Sequence, residues 1–116
     1  MPAHQELLQT LYGAFNARDL DMALASMHPD VDWPNGMEGG RVIGHDEVRA
    51  YWTRQWQMID PHVEPLAIVQ QGSGWTVVTV HQVVRDRADE LLVDAVVQHA
   101  YLIEDGVIRR MEIRKP

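Results

Sequence analysis

The chain has no cysteine, so disulfides, thiolate-bound zinc and thiol nucleophiles are excluded together. Its two serines, Ser26 and Ser73, fall in a helical pattern and in a Gly-Ser-Gly turn. Neither stands in a G-x-S-x-G elbow, so serine hydrolase chemistry is not indicated. No apolar run approaches the ~20 residues needed to cross a membrane, and MPAHQELLQT lacks the basic and apolar regions of a secretory signal. A cytoplasmic protein without a membrane contact is expected. Basic residues are few, 10 against 17 acidic, for a formal charge of −7. Such a field repels phosphate backbones, and the short tail Arg109, Arg110, Arg114, Lys115 does not offset it, so no nucleic acid partner is expected. The histidines show no H-x-H or H-x-x-x-H spacing, and Asp94 and Glu112 fall by strand parity on the face away from the strand histidines. No metal and no cofactor are implied. Gly36, Gly39, Gly40 and Gly44 are spaced like a mobile lid, without the strand and GK[ST] context of a phosphate cradle.

What is present reads as one domain over residues 1–116. His4 to Ala17 is an amphipathic helix with Leu7, Leu8, Leu11 and Phe15 on its apolar face. Asp19 suits the N-cap of a second helix, Leu20 to Met27, which His28-Pro29 ends. Val31 to Trp33 is a brief strand, followed by a loop through Gly40. A third helix begins near His45-Asp46-Glu47 and carries Val48, Trp52, Trp56 and Ile59 as its stripe. Arg49, Arg54 and Gln55 lie on the same helix and read as ordinary surface residues more than as a clamp for a carboxylate. Val63 to Gln71 is a strand that Pro65 confines to an edge or bulges. Trp75 to Val84 and Leu91 to Ile103 are long strands, and Glu104-Asp105-Gly106 turns the second into Val107 to Arg114. Helices followed by an antiparallel meander make an α+β protein with helices packed on one sheet face.

Side chains alternate along strands. Val97, His99, Tyr101 and Ile103 therefore share a face with Val107, Arg109, Met111 and Ile113. A β-hairpin closing near Ala88 would add His81 to that face, within a few residues' rise of His99. The opposite face would carry Val78, Val80, Val84, Val96, Ala100 and Leu102. An apolar patch of that extent marks an interface, so a homodimer through the outer sheet face is expected.

The segments LYGAFNARDLDMALASMHPDVDW, GHDEVRAYWTRQW and HAYLIEDGVIRRMEI, in this order, resemble the SnoaL-like branch of the nuclear-transport-factor-2-like superfamily. The resemblance covers nearly the whole chain and rests on fold-level cues, so function taken from it is analogy. It implies a cone-like α+β barrel enclosing an apolar pocket, commonly dimeric, as in polyketide cyclases and ketosteroid isomerases. His99 falls where those enzymes carry a functional aspartate on the strand before the last hairpin. The isomerase general-base position falls on Trp33 or Asn35, neither a carboxylate. The helix-1 tyrosine falls on Leu11, with Tyr12 one place off. Ketosteroid-isomerase chemistry in the family's form is therefore not implied.

The residues point to a small-molecule pocket. His99 and His81 would move a proton to or from a carbonyl α-carbon, and Tyr101 would donate to a developing oxyanion. Trp33, Trp52, Trp56 and Met111 would line the pocket around a small apolar ligand. The expected activity is cofactor-free cyclisation or isomerisation of a small carbonyl compound. The alternative is a ligand-binding or dimerisation domain of the same fold, whose histidines are structural.

Overall fold

A computed structural model describes residues 3–36, 38–72 and 74–114; Ser73 and Lys115 lie outside them. Among these residues, three helices pack on a six-stranded sheet in the order α1 (Ala3–Ala17), α2 (Leu20–Ala25), β1 (Met27–Pro34), β2 (Arg41–Ile43), α3 (Gly44–Met58), β3 (Ile59–Gln70), β4 (Trp75–Asp86), β5 (Leu91–Glu104) and β6 (Val107–Arg114). The fold is α+β. The strands run in the order β2-β1-β6-β5-β4-β3. Four form the expected antiparallel meander, but β1 lies parallel to β6, which makes the sheet mixed. The sheet is open, with β2 and β3 as its edges. No helix among the described residues is long and apolar enough to cross a membrane.

Local chemistry sets the joints. Arg18 adopts a left-handed φ of 63° after α1, and Asp19 donates its backbone N–H to Ala14 O at 2.8 Å, closing the helix. The Asp19 carboxylate then accepts from Met22 N at 3.1 Å, the expected cap of α2. That helix stops at Ala25, short of the expected Met27. Ser26 O takes the Ile108 N–H at 2.8 Å, which draws the chain into the sheet beside β6. β1 consequently passes through Pro29 in a stretch where its register against β6 is irregular. Gly44 opens α3 with φ +85°, and a Cβ there would meet Pro29 O at 3.3 Å, so the helix sits directly against β1. Asp105 and Gly106 both have positive φ, as a two-residue hairpin turn requires.

The edge strand β3 begins four residues before the expected Val63 and contains both Pro61 and Pro65. Its register slips between Pro65 and Ala67, so it is both an edge and bulged. Asn16 on α1 exchanges two hydrogen bonds with the backbone of Val63, at 2.7 and 3.0 Å. The side-chain amide thus ties α1 to the edge strand. Leu8, Val31, Val48, Val78, Val80 and Ile108 are fully buried between helices and sheet. Full burial of such a side chain contributes roughly 1.5–3 kcal/mol.

One bulge reverses an expected face. Near the β4–β5 turn Arg85 pairs with Leu91, as closure at Ala88 requires. Past the register shift Val84 pairs with Val93, and Val78 with His99. Leu92 is the extra residue, and every rung beyond it moves by one. Val78, Val80 and Val84 therefore face the core with His99, not the outer surface. His81 pairs with Val96 and faces outward. The outer patch expected for a dimer is smaller accordingly: of the six residues only Val96, Ala100 and Leu102 remain on it, and Ala100 is fully buried. The two-residue turn pairs Ile103 with Ile108, which puts Ile108 on the inner face in place of Val107, and a second bulge, with Arg109 as the extra residue, returns Met111 and Ile113 to that face. Arg109 instead bonds Asp30 O.

Candidate functional site

Helices and sheet enclose a cavity of about 490 Å³. Its walls come from α1 (Leu11, Tyr12, Phe15), the end of β1 (Trp33), α3 (Tyr51, Trp52, Gln55) and the inner faces of β3 to β6. None of the described residues lining it carries a formal charge at neutral pH. Leu92, Val93 and Ile113 also line it while remaining 40–52% exposed, so they form its apolar mouth.

The polar centre lies where α1 crosses β5. His99 and Tyr101 are two residues apart on β5, and both face the cavity with Met111 and Ile113 of β6 as their paired neighbours. The Tyr12 hydroxyl reaches both, at 2.8 Å from His99 Nδ1 and 2.8 Å from the Tyr101 hydroxyl. The Tyr12 ring lies nearly parallel to the imidazole, with centroids 5.9 Å apart. Tyr12, one place off the family's helix-1 tyrosine, is thus a functional candidate. Its signal was spacing: Leu8, Leu11, Tyr12 and Phe15 recur at i, i+3, i+4 and i+7, so the tyrosine belongs to the buried stripe.

Burial fixes the electrostatics. It pushes the His99 imidazole down to about 4, so the ring is neutral at neutral pH. Both phenols are held above the ordinary tyrosine range, mainly by burial. The Tyr101 neighbour pushes Tyr12 further up, while the Tyr12 contact acts in the opposite sense on Tyr101. Hydrogen-bond accounting orders the protons. If His99 carried its proton on Nδ1, Tyr12 would donate to Tyr101, whose own O–H would lack an acceptor in a residue 1% exposed. With the proton on Nε2, Tyr101 donates to Tyr12 and Tyr12 donates to Nδ1. A sealed donor without an acceptor costs about 1–3 kcal/mol, so the second arrangement is the stable one. The chain of hydroxyls then ends on a neutral imidazole whose Nε2–H has no protein acceptor among the described residues and is not sealed from the cavity.

The remaining candidates separate cleanly. Trp33 and Trp52 line the cavity and meet edge to face at 5.4 Å. Trp56 does not line it; the side chain packs on Phe15 and lies under the Arg18 guanidinium at 5.0 Å. His81 is outside, where Nε2 bonds the Asp94 carboxylate at 2.7 Å. That contact also corrects the placement of Asp94, which shares the His81 face because of the Leu92 bulge. Arg49 and Arg54 are engaged by Asp21 and Glu38, whereas Gln55 reaches the cavity wall and donates to the Tyr51 hydroxyl at 3.2 Å. The glycine-rich loop is tied down. Asn35 exchanges two bonds with Glu38, Glu38 pairs with Arg54, and Gly36 N donates to Tyr51. The Arg54 contact is the main reason the Glu38 carboxyl is held below its usual range. Among the described residues no group of three or more His, Asp or Glu side chains converges as a metal site.

Comparison with solved structures finds the same architecture. An NTF2-like protein of unknown function from Burkholderia pseudomallei is 28% identical, with 100% of this chain and 92% of that chain covered and a TM-score of 0.86. TerC, co-crystallised with polyporic acid, is 25% identical, with 99% and 92% covered and a TM-score of 0.86. A putative polyketide cyclase from Pseudomonas putida, 20% identical with 100% and 92% covered and a TM-score of 0.81, shows the fold alone. No curated protein matches the chain significantly. The family model for the SnoaL-like domain matches residues 8–111, nearly the whole chain and every element from α1 to β6. The chain belongs to the SnoaL-like domain family.

Proposed function

We propose that the protein binds a small, neutral, mainly apolar carbonyl compound in the cavity and assists its cyclisation or isomerisation without a cofactor. The observation that carries the reading is the Tyr101–Tyr12–His99 chain ending on a neutral imidazole in an uncharged cavity wall. A carbonyl oxygen within reach of Nε2–H would be polarised by it, the hydrogen bond would strengthen as negative charge develops on that oxygen, and the α-proton would leave to solvent water at the open mouth, since no described lining side chain is placed to take it. A neutral imidazole acting as an electrophile is an established catalytic device. His99 is the residue assigned to touch the substrate. Tyr12 and Tyr101 are positioning residues that fix the tautomer, since the Tyr101 hydroxyl is turned to Tyr12. A base pushed down to about 4 is poorly matched to abstracting a carbon-bound proton at neutral pH, so donation is favoured over the general-base role. The likeness to TerC, which was crystallised with polyporic acid, supports a small organic ligand.

The second reading is binding without turnover, and the uncharged lining favours it, because no carboxylate among the described residues is at hand to take a proton. Exchange of the α-protons of phenylcyclohexanone in deuterium oxide, followed by NMR, separates the two. Exchange accelerated by wild type and lost in His99→Leu supports catalysis. Saturable binding without accelerated exchange overturns catalysis and leaves the binding reading.

We also propose self-association through the outer sheet face. Half-exposed Val96 stands on that face beside Val83, with His81 as its direct partner, and the His81 imidazole is bonded to Asp94. Sedimentation velocity at micromolar concentration tests it, and a monomer overturns it.

A further inference from the structure

The inner face of β4 has one polar interruption near the cavity mouth. Gln82 stands between Val80 and Val84 on that face and pairs with Val63 of β3 and Ala95 of β5. It lines the cavity. Its side-chain amide makes no hydrogen bond with the described residues, and neither amide atom is sealed from solvent. The contrast with Gln55 is informative. The Gln55 Oε1 also lacks a partner but is buried away from solvent, so it presents nothing to a ligand. A primary amide kept unpaired in a wall of Val63, Val84 and Pro61 has a donor and an acceptor to offer whatever fills the space.

Its place relative to His99 gives a length. Val78 is the partner of His99, and Gln82 is four residues further along β4. Four residues span ~13 Å along a strand, and the neighbouring strand is ~4.8 Å away. Both side chains reach into the same cavity, which puts their polar tips on the order of 10 Å apart.

We propose that Gln82 is a second ligand anchor, and that the natural ligand is an elongated neutral molecule with a carbonyl at one end and a hydroxyl or carbonyl at the other, about 10 Å away. This rests on the cavity reading above and adds its specificity. The apolar body lies along Trp52 and Val63, the carbonyl meets His99, and the distal group exchanges a hydrogen bond with the Gln82 amide. A charged distal group is disfavoured, because entering the uncharged cavity strips its hydration without providing an opposite charge.

The test compares two probes that differ by one group, phenylcyclohexanone and its para-hydroxyphenyl analogue, by titration calorimetry. Wild type should bind the hydroxylated probe about fivefold more tightly, the value of one ordinary hydrogen bond. In Gln82→Leu the two should bind alike, whereas His99→Leu should weaken both and keep the preference. Gln82→Met serves the same purpose should the leucine variant fold poorly. Equal binding of the probes by wild type, or a preference that survives in the Gln82 variants, overturns the anchor and leaves the cavity reading intact. No binding of either probe to wild type overturns both.

Discussion

Acidification should destabilise this protein through His99 in a way that one substitution removes. The unfolded imidazole titrates near its ordinary 6.5, whereas burial pushes the folded one down to about 4. On the way down in pH the unfolded chain therefore takes up the proton first. Between those two values the unfolded state binds more protons, so stability falls as pH falls, and the loss is complete below the folded value. The gap of about 2.5 units, at 1.36 kcal/mol each, corresponds to roughly 3 kcal/mol. That is a large share of the 5–15 kcal/mol typical of a domain. Urea unfolding of wild type and His99→Leu across the range about pH 7 to 4 isolates the effect, because all other titrating groups are common to both chains. The wild-type loss should exceed the variant's by about 3 kcal/mol, with the difference opening below pH 6.5. Parallel losses in the two proteins would refute the buried neutral imidazole.

Other expectations follow from the same contacts. Tyr12→Phe leaves both His99 Nδ1 and the Tyr101 hydroxyl without partners and should cost about 2–4 kcal/mol, whereas Tyr101→Phe removes one donor and should cost about 1 kcal/mol; urea unfolding at neutral pH gives the order, and a reversed order contradicts the proton arrangement. Trp33→Ala empties a site packed against Trp52 and Tyr101 and should cost about 3–5 kcal/mol, read as a fall in urea midpoint. Val80→Asp buries a charge in the core and should prevent folding, seen as loss of near-UV circular dichroism. Val96→Asp, on the half-exposed outer face, should leave the fold intact and yield only monomer by sedimentation.

Much of the fold was legible because its signals are local. The apolar period of α1, the Asp19 cap, the Asp105-Gly106 turn and the β-rich runs each act over a few residues, and each appears where its chemistry places it. That His99, Tyr101, Met111 and Ile113 share a face was legible by parity, whereas their pairing rests on a two-residue turn followed by a bulge at Arg109 that no local signal announces. The β4–β5 register was not legible, since nothing in Leu91-Leu92-Val93 says which leucine stands outside the ladder. That single residue moved His81 to the outside and brought Val78, Val80 and Val84 inside. β1 was underestimated for a related reason. His28-Pro29 is a helix-stop signal, but only the long-range bond from Ile108 to Ser26 shows that the chain enters a sheet there. Tyr12 was readable by period alone, while its partners lie 87 and 89 residues away and become neighbours only in the fold.

The measurement that bears most directly on the central claim is a two-bond 15N–1H spectrum of His99 near neutral pH, recorded with and without phenylcyclohexanone. A neutral ring protonated on Nε2, with Nδ1 as the bare acceptor, is expected, together with a change in the Nε2 shift as the ketone fills the cavity. A ring protonated on Nδ1 or on both nitrogens, or a ketone that binds without disturbing His99, would contradict it.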